Sequence, residues 1–307
     1  MTQLVQPLPD GPLDIVGDVH GEIEAFRALL GRLGYAEDGS HPRQRQLVFA
    51  GDLTDRGPDS PAVVERVQRL VEAGRAYCVL GNHDLNILLG QRKHDNHWFF
   101  GEPWALDGAD ESTPAVLADD RIRERVLAFF RSLPLALERK GLRVVHACWD
   151  TRMVDLTRRA NDVVELYETH RQQIDDRLRS LDLDNIDRNL AHQNQNPVKV
   201  ITSGIEERVA EPFQASGKIR YEERVAWWPD YADDNLCVFG HYSLKLGKPH
   251  AFGNAQCIDY AVSKRWKERQ ADHFDGTFRG KLAALRIPER TVLFDDGGTD
   301  PLPNRPD

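Results

Sequence analysis

The sequence predicts an α/β protein, and three observations lead to that prediction. Short apolar runs alternate with segments of helical periodicity over the first third of the chain. The chain has 307 residues, enough to bury a large core. Hydrophobic residues make up 40% of it and charged residues 29%, as is typical of globular proteins. The strand pattern alone favours parallel strands joined by crossover helices.

Five apolar runs are predicted strands, and each leads directly into residues that commonly bind metal or phosphate. The runs are 13–16, 46–50, 76–80, 143–145 and 236–239. Ligand sites of open α/β sheets lie at strand tips, so one shared site is expected there. Later predicted strands are 198–201, 224–228, 256–260 and 281–285.

Apolar residues at helical spacing predict the helices. One helix follows Gly21 and stops at Gly34, and another has Ser60 as its cap and Pro61 as its first residue. Two further helices are predicted from 119 to 133 and from 163 to 190. We interpret about 91–140 and 151–195 as helical insertions at the rim of a single domain, 1–307, with a loose tail at 297–307.

Charge and cysteine usage exclude some classes of protein. The formal net charge of −9 repels polyanions, which argues against nucleic acid as a partner. The sequence shows neither a signal peptide nor a stretch of membrane-spanning length, so no membrane partner is expected. Its four cysteines lack zinc-type spacing and indicate buried thiols, from which we predict a cytoplasmic location. The oligomeric state is left open.

Six residues at the strand tips have the chemistry to hold two divalent metal ions. Two cations about 3.5–4 Å apart can neutralise phosphoryl oxygens and acidify a shared water. We expect Asp52 to bridge the two ions. The mixed nitrogen and oxygen ligands favour Mn²⁺, with Fe or Zn²⁺ as alternatives. The predicted ligands are Asp18 and His20 for one ion and Asn82, His146 and His241 for the other.

Three further motif residues have separate predicted roles. Arg56 offers a planar guanidinium to phosphate oxygens. His83, next to Asn82, is the candidate general acid that protonates the leaving oxygen. Asp55 is the candidate partner that orients the imidazole of His83. Asn82 is also a candidate substrate contact.

These motifs resemble the phosphoprotein-phosphatase branch of the calcineurin-like metallophosphoesterase superfamily. The matching blocks are Gly17-Asp18-Val19-His20-Gly21, Gly51-Asp52 to Arg56-Gly57, Gly81-Asn82-His83-Asp84, His146 and Gly240-His241. The resemblance implies a four-layer αββα fold, with a central β-sandwich of mixed sheets flanked by helices. It also implies a second phosphate-binding arginine, for which we favour Arg224 over Arg220.

Two details are similar to bacterial symmetrical diadenosine tetraphosphatases. Asp84 stands where eukaryotic protein phosphatases usually have Glu, and Phe239-Gly240-His241-Tyr242 is similar to the tetraphosphatase block. His146 departs from the protein-phosphatase pattern, because Ala147 and Cys148 follow it in place of two glycines.

The predicted function is hydrolysis of phosphate esters or nucleotide polyphosphate anhydrides by a hydroxide shared between two metal ions. The alternatives are a serine/threonine/tyrosine protein phosphatase and a catalytically silent binding module, while a nuclease is disfavoured. His94 and His97 are interpreted as part of a rim loop. Trp227 and Trp228 either stack on a nucleobase or, as we favour, pack in the core.

Overall fold

Two six-stranded sheets form the centre of the computed structural model, which describes residues 3–93, 95–101, 115–215, 218–247 and 250–301. The strands are β1 Val5–Pro7, β2 Leu13–Val16, β3 Gln46–Phe49, β4 Ala76–Cys78, β5 Ala136–Arg139, β6 Leu142–Val145, β7 Glu206–Ala215, β8 Lys218–Arg224, β9 Leu236–Phe239, β10 Ala251–Phe252, β11 Ala255–Cys257, β12 Ala283–Ile287, β13 Thr291–Phe294 and β14 Thr299–Pro301. The helices are α1 Ile23–Leu33, α2 Ser60–Glu72, α3 Asn82–Leu88, α4 His97–Phe100, α5 Asp120–Ser132, α6 Thr151–Thr157, α7 Val163–Leu178, α8 Asn185–Gln195, α9 Pro197–Ser203 and α10 Arg265–Arg269.

Both sheets are mixed, as the resemblance implies. One has the order β14-β13-β12-β2-β3-β4, in which β2, β3 and β4 run parallel and the other neighbours antiparallel. The second has the order β1-β5-β6-β9-β11-β10, with β6, β9 and β11 parallel. The strand pattern therefore predicted the parallel strands β2, β3 and β4 but missed the antiparallel pairs that both sheets contain.

Strands of both sheets contribute alternate side chains to two different apolar layers. Ile15 and Val144, from different sheets, belong to one buried cluster between the sheets. Their neighbours Val16 and Val145 belong to the cluster that includes residues of the covering helices, such as Phe26. Successive side chains of a strand point to opposite faces of its sheet. The two clusters therefore show that the sheets pack face to face, with helices on their outer faces. The predicted αββα fold is confirmed.

Local signals account for the helix ends next to the strand tips. Gly34 takes the left-handed conformation that ends α1, with φ at 91°. At the start of α2 the cap is Asp59, whose side chain accepts a hydrogen bond from the Ala62 amide. Ser60, predicted as the cap, is instead the first helical residue.

Three other predicted elements were wrong. The run 198–201 is part of helix α9, because Asn196 caps it and Pro197 occupies its first turn. The run 224–228 is not a strand, since β8 ends at Arg224. The predicted helix 163–190 is two helices, α7 and α8, broken after Leu178.

The insertions and the tail are described in part. Helices α4 and α5 lie within 91–140, and α6, α7 and α8 lie within 151–195. The predicted loose tail is wrong for Thr299–Pro301, which pairs with β13 as β14, while residues 302–307 lie outside the described part. None of the described helices combines the length and the apolar character needed to cross a membrane.

Candidate metal centre and catalytic site

The carboxyl ends of β2, β3, β4, β6 and β9 bring the six predicted metal ligands to one place. Asp52 lies at its centre, with its Oδ2 3.7 Å from His20 Nε2 and 3.3 Å from His146 Nε2. The Oδ1 of Asn82 lies 3.1 Å from His146 Nε2 and 2.8 Å from His241 Nδ1. Residues separated by more than two hundred positions therefore meet around one carboxylate.

Asp18 completes the group on the side of His20. Its Oδ2 lies 3.8 Å from His20 Nε2 and accepts a hydrogen bond of 3.0 Å from the His241 amide. Gly240 lets the backbone approach this carboxylate, because a Cβ there would lie 2.0 Å from Asp18 Oδ1.

This arrangement fits divalent metal ions. Donors that share an ion lie about 3–3.5 Å apart, since each is about 2.0–2.2 Å from it. The distances around Asn82, His146 and Asp52 fall in or near that range. The second ring nitrogen of His241, Nε2, is buried without a hydrogen-bond partner among the described residues. Two sets of side chains have ligand atoms within 4.8 Å of one another: His20, Asp52 and His83, and Asp52, His146 and His241.

The charges of these groups are strongly coupled. Burial raises the pKa of Asp18 well above its usual range, and the carboxylates of Asp259 and Asp52 raise it further. Burial by itself would raise the pKa of Asp52, but His146 and other histidines hold it well below its usual range. Burial would lower the pKa of His146, but the carboxylates of Asp52 and Asp18 raise it to about 10. A cation beside Asp18 and Asp52 would relieve the repulsion between the carboxylates.

Backbone carbonyls orient two of the imidazoles. The Nδ1 of His20 lies 3.0 Å from the Thr54 carbonyl, and that of His146 lies 2.7 Å from the Ala50 carbonyl. Each Nε2 therefore faces the carboxylates, as in histidines that ligate a metal through Nε2 and donate from Nδ1.

The backbone is strained around this centre. Five residues of the site have φ between 48° and 72°, a region that residues other than glycine rarely adopt. They are His20, Asp52, Asp55, Arg56 and His241. Such strain costs on the order of 1–3 kcal/mol per residue and clusters at functional sites.

His83, Asp55 and Trp98 form a hydrogen-bonded chain beside the metal ligands. His83 Nδ1 lies 2.7 Å from Asp55 Oδ2, and the indole of Trp98 donates to Asp55 Oδ1 at 2.7 Å. The His83 amide also donates to Asp52 Oδ1 at 2.9 Å. Burial lowers the pKa of His83 to about 4, an effect that the carboxylate of Asp52 opposes. Burial raises the pKa of Asp55.

A cleft of about 400 Å³ opens over these groups, and both predicted phosphate-binding arginines line it. Arg56 is half-buried, with its Nε 3.9 Å from an Asp95 oxygen. Arg224 donates from Nη1 to the His241 carbonyl at 3.0 Å. Arg220, the less favoured candidate, lines the same cleft.

Asp84 and Asp259 support the loops that carry the predicted metal ligands. Asp84 accepts hydrogen bonds from the Leu53 amide and the Thr54 hydroxyl, bracing the loop that carries Asp52. Asp259 accepts from the backbone amides of Ser243 and Ala261, next to the His241 loop. Trp227 and Trp228 are buried in the core, in accord with the favoured interpretation. His97 is buried at the start of α4, and His94 lies outside the described residues.

Sequence reasoning missed two parts of the site. Trp98 was assigned no role in the site, because nothing local signals that its indole reaches Asp55, 43 positions away. The β7–β8 hairpin was not predicted, although it contributes Phe213, Glu206 and Glu222 to the cleft. Its alternation of charged and apolar residues was a signal that could have identified it.

Comparison with known proteins supports the resemblance found in the motifs. The model of the family described as calcineurin-like phosphoesterase matches residues 11–270. An asymmetrical bis(5'-nucleosyl)-tetraphosphatase PrpE of Anoxybacillus flavithermus is 27% identical over 288 residues, covering 91% of this chain and 92% of that protein. The same-named protein of Oceanobacillus iheyensis is 33% identical over 141 residues, covering 44% of this chain. This second match covers 54% of the Oceanobacillus protein, about half of its length.

A likeness to a solved structure extends over the whole chain. The cold-active protein-tyrosine phosphatase of a psychrophilic Shewanella matches 99% of this chain and 83% of its own, at 16% identity and a TM-score of 0.56. At that identity the likeness shows a shared fold. The family match covers most of the chain, and the chain belongs to the calcineurin-like phosphoesterase family.

Proposed function

We propose that this protein hydrolyses dinucleoside polyphosphates with two divalent metal ions held by Asp18, His20, Asp52, Asn82, His146 and His241. The observation that carries the proposal is the convergence of these six side chains around Asp52, beneath a cleft lined by Arg56 and Arg224. The names of the relatives support the nucleotide polyphosphate class.

The bound ions would neutralise phosphoryl oxygens and lower the pKa of water at the site. The protein's own residues supply the rest of the chemistry. Arg56 and Arg224 hold the phosphoryl oxygens, for which a planar guanidinium is well suited. His83 delivers a proton to the leaving oxygen, and the negative phosphate of the substrate favours its charged form. Asp55, held by Trp98, keeps the imidazole of His83 in position.

The donor chemistry favours Mn²⁺, with Fe and Zn²⁺ as alternatives, because the ligands combine imidazole nitrogens with carboxylate and amide oxygens. The cytoplasmic location stays a prediction based on the cysteines, each of which is buried and free.

A substrate panel tests the proposal. Purified enzyme with added Mn²⁺ is assayed on diadenosine tetraphosphate, mononucleotides and phosphopeptides. We expect the tetraphosphate to have the highest kcat/KM, and Asp52→Asn to be inactive on every substrate, which excludes a contaminant. Water added across one P–O–P linkage gives either AMP and ATP or two ADP. The relatives' names favour the asymmetrical products, whereas the motif details resemble symmetrical enzymes, and chromatography of the products decides between them.

A protein phosphatase is the second candidate. The carboxylates of Glu206, Glu222 and Glu223 also line the cleft, and they would suit basic residues flanking a phosphorylated side chain. Failure on diadenosine tetraphosphate with activity on phosphopeptides would reverse the order of the two. A binding module without activity would require a protein that is inert toward p-nitrophenyl phosphate even with added Mn²⁺.

A further inference from the structure

The β7–β8 hairpin is a separate two-stranded sheet fixed beside the metal centre at its base. Glu206 pairs with Arg224 there, and Arg224 donates to the His241 carbonyl. Helix α8 holds the hairpin from the other side, because Asn194 exchanges hydrogen bonds with the backbone of Glu206. The hairpin therefore extends from the metal centre along the cleft.

One face of the hairpin carries both a cation and an aromatic ring into the cleft. Phe213 and Arg220 are cross-strand partners, so their side chains lie on the same face of the hairpin. Arg220 and Arg224 are also on one face, since side chains alternate along a strand. All three line the cleft that contains Asp52 and His241.

Phe213 lies outside the apolar clusters of the described residues, and Arg220 lies outside their hydrogen-bond network. Phe213 is 40% exposed and belongs to none of the apolar clusters formed by the described residues. Arg220 makes no hydrogen bond or ion pair within the described parts of the chain, in contrast to Arg224. An exposed ring and a guanidinium that makes no hydrogen bond or ion pair with the described residues lie on one face, and together they form a surface suited to a ligand.

The separation of Arg220 and Arg224 along β8 favours an extended ligand. Arg220 is four residues from Arg224, which corresponds to about 13 Å of strand. A ligand that follows this face of the hairpin from Arg224 to Phe213 must be longer than a small phosphate ester. A polyphosphate chain carrying a nucleoside would span this length.

We infer that Phe213 and Arg220 form a second subsite, in which Phe213 stacks on a base of the dinucleoside polyphosphate and Arg220 contacts phosphate oxygens remote from the cleaved bond. This inference rests on the proposed function. The mixed charge of the cleft agrees with it, because the carboxylates of Glu206 and Glu222 can accept hydrogen bonds from ribose hydroxyls or a base amino group. A pocket lined only by cations would suit a bare polyphosphate.

The test compares kcat/KM for diadenosine tetraphosphate with kcat/KM for p-nitrophenyl phosphate, which has neither a base nor a second phosphate. Base–aromatic stacking predicts that Phe213→Ala lowers the ratio of the two by roughly 5- to 100-fold. Phe213→Leu keeps apolar bulk without a π-face and is expected to lower the ratio as well, whereas Phe213→Trp is expected to restore it. Arg220→Gln should raise KM for the tetraphosphate and reduce its dependence on salt.

Tyr221→Ala is the matched control. Tyr221 is an aromatic residue of the same hairpin with 43% exposure, but it is not among the residues that line the cleft. We expect this variant to keep the wild-type ratio. Competitive inhibition gives a second measurement: Phe213→Ala should weaken inhibition by AMP more than inhibition by inorganic phosphate.

The outcomes separate this inference from the proposed function. Wild-type enzyme that cleaves the tetraphosphate, with an unchanged ratio in Phe213→Ala, overturns the subsite and leaves the proposed function standing. Wild-type enzyme that ignores the tetraphosphate but cleaves basic phosphopeptides overturns both. Full restoration by leucine overturns base stacking in favour of simple apolar contact.

Discussion

The indole of Trp98 donates a 2.7 Å hydrogen bond to Asp55, whose other carboxylate oxygen lies 2.7 Å from His83. Trp98 is fully buried, and Asp55 is fully buried as well. Because one carboxylate receives both contacts, the position of the candidate acid depends on a tryptophan more than forty residues away.

Trp98→Phe should therefore reduce turnover while leaving the metal ligands in place. Hydrogen bonds to charged groups contribute about 1.5–3 kcal/mol, so we expect kcat to fall by roughly 10- to 100-fold. Steady-state kinetics measures kcat for the wild type and the variant, and circular dichroism checks that both proteins are equally folded. Wild-type turnover in a folded Trp98→Phe protein would show that the indole does not position the pair.

His83→Ala should impair substrates with poor leaving groups more than those with good ones. General acid catalysis contributes roughly 10²–10⁴-fold, and a leaving group that departs without protonation needs little of it. The measurement compares kcat for phenyl phosphate and p-nitrophenyl phosphate. Metal content should stay at the wild-type level, which serves as the control. Equal losses on both substrates would count against the acid role.

Gly81→Ala should disrupt the metal centre by a steric clash, without removing any predicted ligand. A Cβ at this position would lie 2.1 Å from the Asp52 amide nitrogen and 2.2 Å from its Oδ1, so the Asp52 loop must move. We expect loss of metal and of activity on every substrate. The matched control is Gly31→Ala in helix α1, where a Cβ meets nothing within 4 Å. That change should stabilise the fold by about 0.5–1 kcal/mol without altering kcat. A fully active Gly81→Ala enzyme would contradict the described packing.

Chelation should lower both activity and thermal stability. Metal bound to the folded state stabilises it by about 4 kcal/mol at a thousandfold excess over Kd. Differential scanning calorimetry with and without chelator is expected to show a drop in Tm that Mn²⁺ reverses. In Asp52→Asn the shift in Tm should be much smaller, because fewer ions are bound. An equal chelator shift in that variant would place the bound ions elsewhere.

The position of the site was predictable because its signals are local. Each predicted ligand follows an apolar run, and the parallel strands β2, β3 and β4 bring Asp18, Asp52 and Asn82 to one edge of their sheet. His146 and His241 lie at the tips of the parallel strands β6 and β9 in the other sheet. Packing of the two sheets, which the family resemblance implied, brings the two sets together.

The remaining features depend on contacts distant in sequence. The run 198–201 has the composition of a strand, and it is helical because Asn196 caps it and Pro197 starts the helix. The antiparallel strands β12 and β13 extend a sheet whose first three strands lie more than two hundred residues earlier. Strand propensity carries no information about such partners.

Metal content measured by elemental analysis tests the central claim most directly. Wild-type protein reconstituted with Mn²⁺ and freed of excess metal should hold two ions per chain, as should His83→Ala, while Asp52→Asn should hold fewer. A wild-type chain that retains no ion, or an Asp52→Asn chain that retains both, would contradict the account.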